Sequence, residues 1–304
     1  MNFILVTGAG GFVGRHVVQK LHAEGVPVIA LLRHGAPDGF PPVGPRFLIA
    51  QGDLLAGPPK LPLPPGASLG GIVHLAAQVV LPGITGTDFM HRNIGLTANA
   101  IGLARQYQAA SFLLLSSTSV YGLNPAPLLT EDERVLQPAA YGTSKYASEL
   151  MVAELGSTIP VAAIRVPGII GAGANPNFIT RLVERAGRGE PLAVFNPERL
   201  FNSVVDVADI AATISLWLSR GAGTGFSTMN LACSEPVAVG ALAQFLAARS
   251  GRGSGVESKS DPAATSGLID IKRLQQQLGF TPRSVFEAVG QYADTAWGVR
   301  PIQP

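Results

Sequence analysis

A glycine-rich segment near the start of the chain constrains the fold more than any other feature. Thr7-Gly8-Ala9-Gly10-Gly11-Phe12-Val13-Gly14 follows an apolar run at residues 3–7 and leads into a stretch, 14–24, with apolar residues at helical spacing. Gly8, Gly11 and Gly14 allow a tight turn, close approach of backbone to a pyrophosphate, and close packing of helix on strand. This order of strand, glycine turn and helix predicts a dinucleotide-binding α/β fold.

Short apolar runs alternate with amphipathic stretches of helix length through the first half of the chain. Strands are predicted at 3–7, 28–32, 47–51, 71–75, 112–116 and 161–166, and helices at 14–24, 93–108 and 141–155. The alternation predicts a Rossmann-type, doubly wound parallel sheet with helices on both faces.

The pattern becomes less regular after Val166. A helix is predicted near 178–188, a strand at 192–195, a helix near 207–218 and a return to the sheet near residue 230, while the polar, glycine-rich stretch 250–260 is predicted to be a surface loop. We therefore expect a dinucleotide-binding domain over 1–166 with returning segments near 204–233. Residues 167–203 and 234–304 are expected to form a smaller C-terminal substrate-binding subdomain.

Composition excludes several classes of partner. The 22 basic and 20 acidic residues are dispersed, which argues against nucleic acid and anionic membranes as partners. No apolar run reaches the roughly 18 residues that a membrane span requires. Met1 begins a strand rather than a leader, so we expect a cytoplasmic protein. One cysteine, Cys233, and histidines without ligand spacing argue against a disulfide framework and a metal site.

The end of the second predicted strand bears on the choice of cofactor. An acidic residue there would accept the ribose 2′-hydroxyl of NAD, but the chain has Arg33, which can pair with a 2′-phosphate, and Arg15 can assist. NADP is thus favoured over NAD, with a solvated Arg33 as the alternative. Asp53, after the third strand, can accept a hydrogen bond from the adenine amino group or can cap a helix.

A tyrosine and a lysine four residues apart indicate acid/base chemistry. On a helix, Tyr141 and Lys145 lie on one face, and an ammonium beside a phenol favours the phenolate, which would lower the tyrosine pKa towards the working range. They follow an apolar strand, 112–116, that ends in hydroxyl residues. The carboxyl ends of strands are where open α/β sheets bind ligands.

Further motifs occur in a defined order along the chain. They are Gly52-Asp53-Leu54, His74-Leu75-Ala76-Ala77, Asn93 with Thr97, Ser116-Ser117-Thr118-Ser119-Val120-Tyr121-Gly122, Tyr141-Gly142-Thr143-Ser144-Lys145 and Arg165-Val166-Pro167-Gly168-Ile169-Ile170-Gly171. With the glycine loop, they resemble the extended short-chain dehydrogenase/reductase family. That family contains UDP-galactose 4-epimerase, nucleotide-sugar dehydratases and 4-ketoreductases.

The resemblance implies roles for individual residues. Ser117 would be the catalytic hydroxyl, Tyr141 the acid/base, and Lys145 the residue that lowers the tyrosine pKa and binds the nicotinamide ribose. The expected cofactor contacts are Gly8, Gly11, Phe12, Val13, Gly14, Arg33, Asp53, Leu54, Leu75, Ala76, Ala77, Asn93, Ser116, Tyr141, Lys145, Pro167, Gly168 and Ile170. The expected substrate contacts are Ser117, Thr118, Ser119, Tyr141, Asn177, Phe178 and Asn202. A homodimer through the second and third predicted helices is expected by resemblance.

Departures from the family pattern indicate the reaction class. The related dehydratases carry an Asp-Glu pair directly after the catalytic hydroxyl, whereas this chain has Thr118 and Ser119, which disfavours dehydration. Gly168 stands where many epimerases have asparagine, and Asn202 where they have the arginine that grips the diphosphate. Both resemble ketoreductases acting on nucleotide sugars. A 4-epimerase stays open as an alternative, as does a non-catalytic dinucleotide sensor, which the retained Ser117, Tyr141 and Lys145 disfavour.

Overall fold

The computed structural model of the chain describes residues 1–79, 83–220, 224–261 and 267–298. Its strands are β1 Asn2–Thr7, β2 Val28–Leu32, β3 Phe47–Gln51, β4 Ser68–His74, β5 Phe112–Ser117, β6 Leu128–Leu129, β7 Pro160–Val166, β8 Gly168–Ile170, β9 Leu192–Phe195, β10 Leu200–Phe201, β11 Val204–Asp206, β12 Gly225–Asn230, β13 Val237–Ala238, β14 Val256–Lys259 and β15 Leu268–Ile269. Its α-helices are α1 Phe12–Ala23, α2 Gly86–Gln106, α3 Ala140–Ala153, α4 Phe178–Gly187, α5 Val207–Arg220, α6 Val239–Ser250, α7 Lys272–Leu278 and α8 Val285–Ala296. Two short 3₁₀ turns cover Thr118–Tyr121 and Glu154–Ser157.

The central sheet has seven strands in the order β12-β7-β5-β4-β1-β2-β3. The pairs β1–β2, β1–β4, β2–β3 and β4–β5 run parallel, with Ile4 opposite Val28 and Leu5 opposite Ile72. Strand order reverses between β1 and β4, and open α/β sheets bind ligands at the carboxyl ends of strands beside such a reversal. The predicted α/β, doubly wound sheet is confirmed.

The sheet strands are apolar on both faces because helices cover both. Phe3 and Leu5 belong to a core cluster that also includes Ile101 and Leu103 of α2 and Val152 of α3. Their strand neighbours Ile4 and Val6, which point to the opposite face, are also buried. A strand with only one covered face would have alternated with polar residues instead.

The chain divides into two compact units. The first comprises Met1–Leu123, Arg134–Arg165 and Ile210–Met229, and the second Asn124–Glu133, Val166–Asp209 and Asn230–Pro304. Within the last range, and so within the predicted subdomain 234–304, residues 262–266 and 299–304 lie outside the described residues. Residues 124–133 were expected in the first unit. They belong to the second because β6 pairs with β15, Leu128 lying opposite Leu268.

Short strand pairs and three packed helices build the second unit. β8 pairs in parallel with β11, β9 with β14, and β10 pairs antiparallel with β13. Helices α4, α6 and α8 share a buried core with these strands, centred on residues such as Leu182, Leu242 and Val289.

Two sequence-based expectations differ from the structure. The predicted loop at 250–260 contains β14, a strand missed because its polar residues show no apolar alternation and it is held by pairing with β9. Helix α2 begins at Gly86 rather than near Asn93, because Thr85 and Asp88 form a reciprocal capping box at its start. In the described ranges, no helix is long and apolar enough to cross a membrane.

Candidate active site

The glycine loop packs directly on the end of β4. Gly8 has a φ of +65°, and a Cβ placed on it would lie 2.7 Å from the backbone nitrogen of Ala76. The Thr7 hydroxyl accepts hydrogen bonds from the amides of Leu75 and Ala76 at 3.2 and 3.3 Å. The structure thus brings together the glycine loop and the 75–77 segment, two of the predicted cofactor-lining elements.

The start of α1 suits an anionic ligand. Its N-cap is Gly11, which makes no side-chain cap, so the amides of the first helical turn are not used by a capping side chain. Phe12 and Val13, the first residues of α1, are half-buried, and a side chain at Gly8 would collide with backbone. These features fit the close approach of a dinucleotide pyrophosphate.

The two arginines considered for a 2′-phosphate differ in environment. Arg33 follows β2 directly and is exposed. Arg15, on α1, is partly buried, and its Nε has no hydrogen-bond partner among the described residues. A buried guanidinium nitrogen without a partner is uncommon in a folded protein. Both residues are therefore available to an anionic group.

Two other predicted cofactor residues, Asp53 and Leu54, have structural partners. The exposed Asp53 carboxylate accepts a hydrogen bond from the Leu55 amide at 3.0 Å, so it caps a turn. Leu54 is 3% exposed, and its carbonyl accepts a hydrogen bond from Asn99. This geometry is close to the helix-capping alternative that the sequence offered for Asp53. Only one oxygen of the Asp53 carboxylate takes part in the hydrogen bond from the Leu55 amide.

The three predicted catalytic residues lie in the first unit. Ser117 ends β5; its hydroxyl accepts a hydrogen bond from the Ser119 amide and donates one to the Ser119 hydroxyl, each at 3.1 Å. Tyr141 and Lys145 lie on α3, which packs against that turn so closely that a Cβ on Gly142 would be 2.1 Å from the Ser119 carbonyl oxygen. The sequence signal for this approach is the glycine after Tyr141. Thr118 is half-buried and Ser119 exposed.

Burial dominates the pKa values of Lys145 and Tyr141. The pKa of Lys145 is lowered to about 8, first by burial, with the Glu149 carboxylate acting in the opposite direction. The pKa of Tyr141 is raised by burial, and its hydrogen bond with Ser117 opposes the rise. The expected lowering of the tyrosine pKa is therefore not the direction found, because desolvation of the phenolate outweighs the groups that favour it. Phe89 of α2 packs edge-on against the Tyr141 ring, with the two ring centroids 5.7 Å apart.

A polar network links α3 to the other elements of the site. The Asn93 side chain accepts a hydrogen bond from the Gln78 amide at 2.7 Å and donates one to the Ser144 hydroxyl at 2.8 Å. Thr97, one turn further along α2, donates to the Asn93 carbonyl and also lies 2.9 Å from the Ser148 hydroxyl. Asn93 thus links α3 to the segment after β4. Its place in the sequence, inside α2, does not indicate this role.

Sequence reasoning missed the buried carboxylate of Glu149. Ser116, predicted as a cofactor contact, points its hydroxyl inward and donates to Glu149 at 2.5 Å. Arg165 of β7 donates to the same carboxylate at 2.8 Å. The available signal was the spacing, since Glu149 repeats the four-residue step from Tyr141 to Lys145.

In the second unit, the predicted cofactor residues Pro167, Gly168 and Ile170 flank or form β8. Gly168 pairs with Val204, and Ile170 is fully buried in the core of that unit. Pro167 is half-buried immediately before the strand. The side chain of Ile170 is therefore a core group, whereas Pro167 and Gly168 are partly exposed.

The predicted substrate residues of the second unit also have structural partners. Asn177 caps α4, accepting from the amides of Ile179 and Thr180. Asn202 is 3% exposed, donates to the carbonyls of Cys233 and Ile269, and accepts from the Ile269 amide. Phe178 is 40% exposed, and its ring lies edge-on to Phe201. Of the three, Phe178 is the side chain presented to solvent.

Metal ligation finds no support in the part of the chain that the structure describes. No group of three or more histidine, cysteine or acidic side chains there is placed to hold an ion. Cys233 is buried, and burial raises the pKa of its thiol well above the ordinary value, with Asp209 and Asp206 adding to the effect. This thiol is a core group.

Comparison with known proteins agrees with the α/β fold described above. The model of the NAD dependent epimerase/dehydratase family matches residues 4–232. A UDP-glucose 4-epimerase of Azospirillum brasilense is 24% identical, over 92% of this chain and 87% of that protein. A dTDP-4-dehydro-6-deoxy-D-allose reductase of a Streptomyces species is 24% identical, over 92% and 91%. A dTDP-glucose 4,6-dehydratase of Streptomyces griseus is 27% identical, over 97% and 93%.

Solved structures share the whole fold. The structure of MoeE5 in complex with UDP-glucose and NAD is 25% identical, with a TM-score of 0.76 over 99% of this chain and 100% of that one. The three relatives are named for epimerisation, reduction and dehydration, and their sequence identities to this chain are similar, at 24 to 27%. Overall identity does not select among these reactions, so residues of the site must.

Proposed function

The chain belongs to the NAD dependent epimerase/dehydratase family of enzymes, and we propose that within it the protein reduces a keto group of a nucleotide-linked sugar. The observation that carries the proposal is the end of β5, where Ser117 is followed by Thr118 and Ser119 and faces the helix that bears Tyr141 and Lys145. The two positions after Ser117 hold no carboxylate, so this place offers no base for removing a proton from carbon. Proton exchange with a substrate oxygen is the chemistry that these side chains support.

The three side chains divide the work of that exchange. When bound, the nicotinamide supplies the hydride that adds to the carbonyl carbon. Tyr141 donates its phenolic proton to the carbonyl oxygen, and the hydroxyl of Ser117 orients that oxygen by a hydrogen bond. Lys145, buried with a pKa of about 8, is mostly protonated at neutral pH, and its charge stabilises the phenolate that Tyr141 leaves behind. The carbonyl gains one hydride and one proton and becomes an alcohol.

For the cofactor, NADP is our proposal within a family named for NAD. It rests on Arg33 at the end of β2, where an acid would serve the 2′-hydroxyl, and on the unpartnered Nε of Arg15. An Arg33→Ala variant is expected to weaken NADPH binding at least tenfold and to leave NADH binding unchanged. Equal losses for both dinucleotides would contradict the preference.

A 4-epimerase is the second candidate. It is supported by the similarity to the Azospirillum enzyme and by the same three catalytic side chains, since oxidation followed by reduction at one carbon uses Tyr141 first as base and then as acid. The two functions differ in the fate of the cofactor. An epimerase returns it to its starting state in each turnover, whereas a reductase consumes NADPH.

The deciding experiment begins with the purified protein. Any bound dinucleotide is released and identified, and NADPH oxidation is then followed with a panel of nucleotide 4-keto-sugars. A protein that consumes added NADPH in a Tyr141-dependent way is a ketoreductase. Tightly held NAD⁺ together with interconversion of nucleotide sugars and no net oxidation would establish the epimerase instead. Dinucleotide binding without turnover of any sugar would instead support the non-catalytic dinucleotide sensor.

We also propose that the chain is a homodimer that pairs through α2 and α3. In support, Leu150, near the carboxyl end of α3, is 56% exposed and is an apolar side chain that a partner helix would cover. Light scattering of the wild type and of a Leu150→Glu variant tests the proposal. A mass of one chain for the wild type would refute it.

A further inference from the structure

Glu149 lies one helical turn beyond Lys145 and two beyond Tyr141, so the three side chains project from one stripe of α3. It is 2% exposed, which is rare for a carboxylate. A buried charge persists only where partners satisfy it. The partners of Glu149 therefore indicate what the fold gains by keeping a negative charge behind the catalytic helix.

Three donors converge on the Glu149 carboxylate. The Ser116 hydroxyl donates at 2.5 Å, and Arg165 donates through Nε at 3.0 Å and through Nη2 at 2.8 Å. The Arg165 Nη1 donates to the Tyr121 hydroxyl at 3.1 Å, and its guanidinium lies 5.0 Å from the centre of the Tyr121 ring. All four side chains are at least nine-tenths buried.

These contacts tie the elements that carry the catalytic groups. Ser116 immediately precedes Ser117 on β5, and Tyr121 ends the 3₁₀ turn that begins after Ser117. Glu149 lies on the helix of Tyr141 and Lys145, and Arg165 on β7, the neighbour of β5 in the sheet. One carboxylate thus joins the strand of the serine to the helix of the tyrosine and lysine. A neutral apolar contact would hold the same elements with less directional constraint.

We propose that Glu149, held by Arg165, is a positioning residue for the reductive site, which keeps Ser117 of β5 in register with Tyr141 and Lys145 of α3 and keeps the lysine ammonium charged. The inference rests on the proposed function insofar as that function assigns roles to the three catalytic side chains. Burial alone lowers the pKa of Lys145, and the Glu149 carboxylate is the neighbour that opposes the fall. His74, the other ionisable group whose pKa reflects Lys145, is neutral at working pH because burial lowers its pKa to about 3.

The charge part of the proposal is tested on the chain without cofactor or substrate. The sequence contains five lysines, so ¹³Cε-lysine labelling gives few resonances, and Lys145→Met identifies the one from Lys145. In Glu149→Gln, the titration midpoint of Lys145 is expected to fall by about one pH unit. Glu154→Gln is the matched control, because Glu154 follows on the same segment with its side chain 75% exposed. A midpoint of Lys145 that is unchanged in Glu149→Gln would overturn the charge role.

Loss of Glu149 leaves the buried charge of Arg165 without its carboxylate, which can prevent folding. If Glu149→Gln does not fold, the double variant Glu149→Gln/Arg165→Gln, in which neither charge remains, carries the same titration. The Lys145 midpoint is again expected below its wild-type value, and a value at or above it overturns the proposal.

The positioning part is tested in turnover. Ser116→Ala keeps the ion pair and cuts only its link to β5, so kcat is expected to fall about tenfold with little change in KM. In Glu149→Gln the alkaline limb of the pH profile is expected to move to lower pH, and Glu149→Asp, which restores the charge, should return it. A purely structural Glu149 would lower stability in these variants without moving either readout. Because the lysine titration needs no substrate, it stands even if the reductase assignment fails.

Discussion

The Thr7 hydroxyl lies 2.8 Å from Nδ1 of His74 and joins the strand of the glycine loop to β4. That hydroxyl already accepts hydrogen bonds from the amides of Leu75 and Ala76. A hydroxyl has one proton and two acceptor positions, so its proton points at Nδ1. Nδ1 is therefore an acceptor, and the ring carries its proton on Nε2, 3.3 Å from the Thr97 hydroxyl. A doubly protonated His74 would break this arrangement.

His74 should make the fold sensitive to acid. Burial lowers its pKa from 6.5 to about 3, and the charge of Lys145 adds to the effect. Between these values the unfolded chain binds a proton that the folded chain does not, so this contribution to stability rises with pH and is lost as pH falls from about 6.5 towards 3. Relative to His74→Gln, the wild type is expected to lose up to about 1.4 kcal/mol of unfolding free energy per pH unit in that window.

Urea denaturation at a series of pH values measures this difference. His91→Gln, which changes an exposed histidine on α2, is the matched control variant. Parallel curves for the wild type and His74→Gln would show that His74 titrates normally.

Gly14 should tolerate no side chain. A Cβ there would lie 2.1 Å from the Gly8 carbonyl oxygen and 2.7 Å from the Ala9 Cα, both backbone atoms. Gly14→Ala is expected to destabilise the fold by about 3 kcal/mol and to weaken dinucleotide binding at least tenfold, since the loop must move. Gly10→Ala is the control, because its Cβ would meet side chains rather than backbone, the flexible end of Leu32 at 3.3 Å and the Pro37 ring at 3.8 Å. Thermal unfolding and dinucleotide titration report the two effects, and equal behaviour of the two variants would contradict the packing argument.

The sequence predicted the central sheet well because its signals are local and strong. β2, β3 and β9 have the predicted bounds, and the predicted positions of β1, β4, β5 and β7 differ at the ends by a few residues. Each is an apolar run of strand length between turn residues. β14 was missed because its residues carry no such pattern, and its pairing with β9 joins positions far apart in the sequence.

The positions of the candidate site residues could be predicted where chemistry fixes their spacing in the sequence. They could not be predicted where tertiary packing decides which way a side chain points. Ser117, Tyr141 and Lys145 follow from a strand end and a four-residue step. Whether a polar side chain faces a ligand or the interior is set by its tertiary neighbours, so Ser116 was expected at the cofactor although it bonds Glu149. The direction of the Tyr141 pKa also depends on burial, which a motif does not report.

Asn202 provides a test of that distinction. Three of the four hydrogen-bonding positions of its side-chain amide are used within the second unit: both donor positions, on the carbonyls of Cys233 and Ile269, and one acceptor position, on the Ile269 amide. Asn202→Ala is expected to cost about 2 to 3 kcal/mol of unfolding free energy, because buried backbone groups lose their partners. Asn177→Ala, which removes a helix cap at a more exposed position, should cost about 1 kcal/mol. If Asn202→Ala instead raised the substrate KM without loss of stability, the predicted substrate contact would be correct.

Tyr141 should be needed for turnover and dispensable for folding. Its phenol is the proton donor in the proposed reduction, and burial raises its pKa, so it stays protonated through neutral pH and the rate should fall only on the alkaline side. Tyr141→Phe removes the proton but keeps the ring that packs on Phe89. We expect kcat to fall by about 10²- to 10⁴-fold, with dinucleotide affinity and thermal stability close to the wild type. Tyr146→Phe makes the same change on the same helix and should retain full activity. Comparable losses in both variants would mean that the helix, rather than the Tyr141 hydroxyl, was disturbed, and the assignment of the acid would then fall to another group.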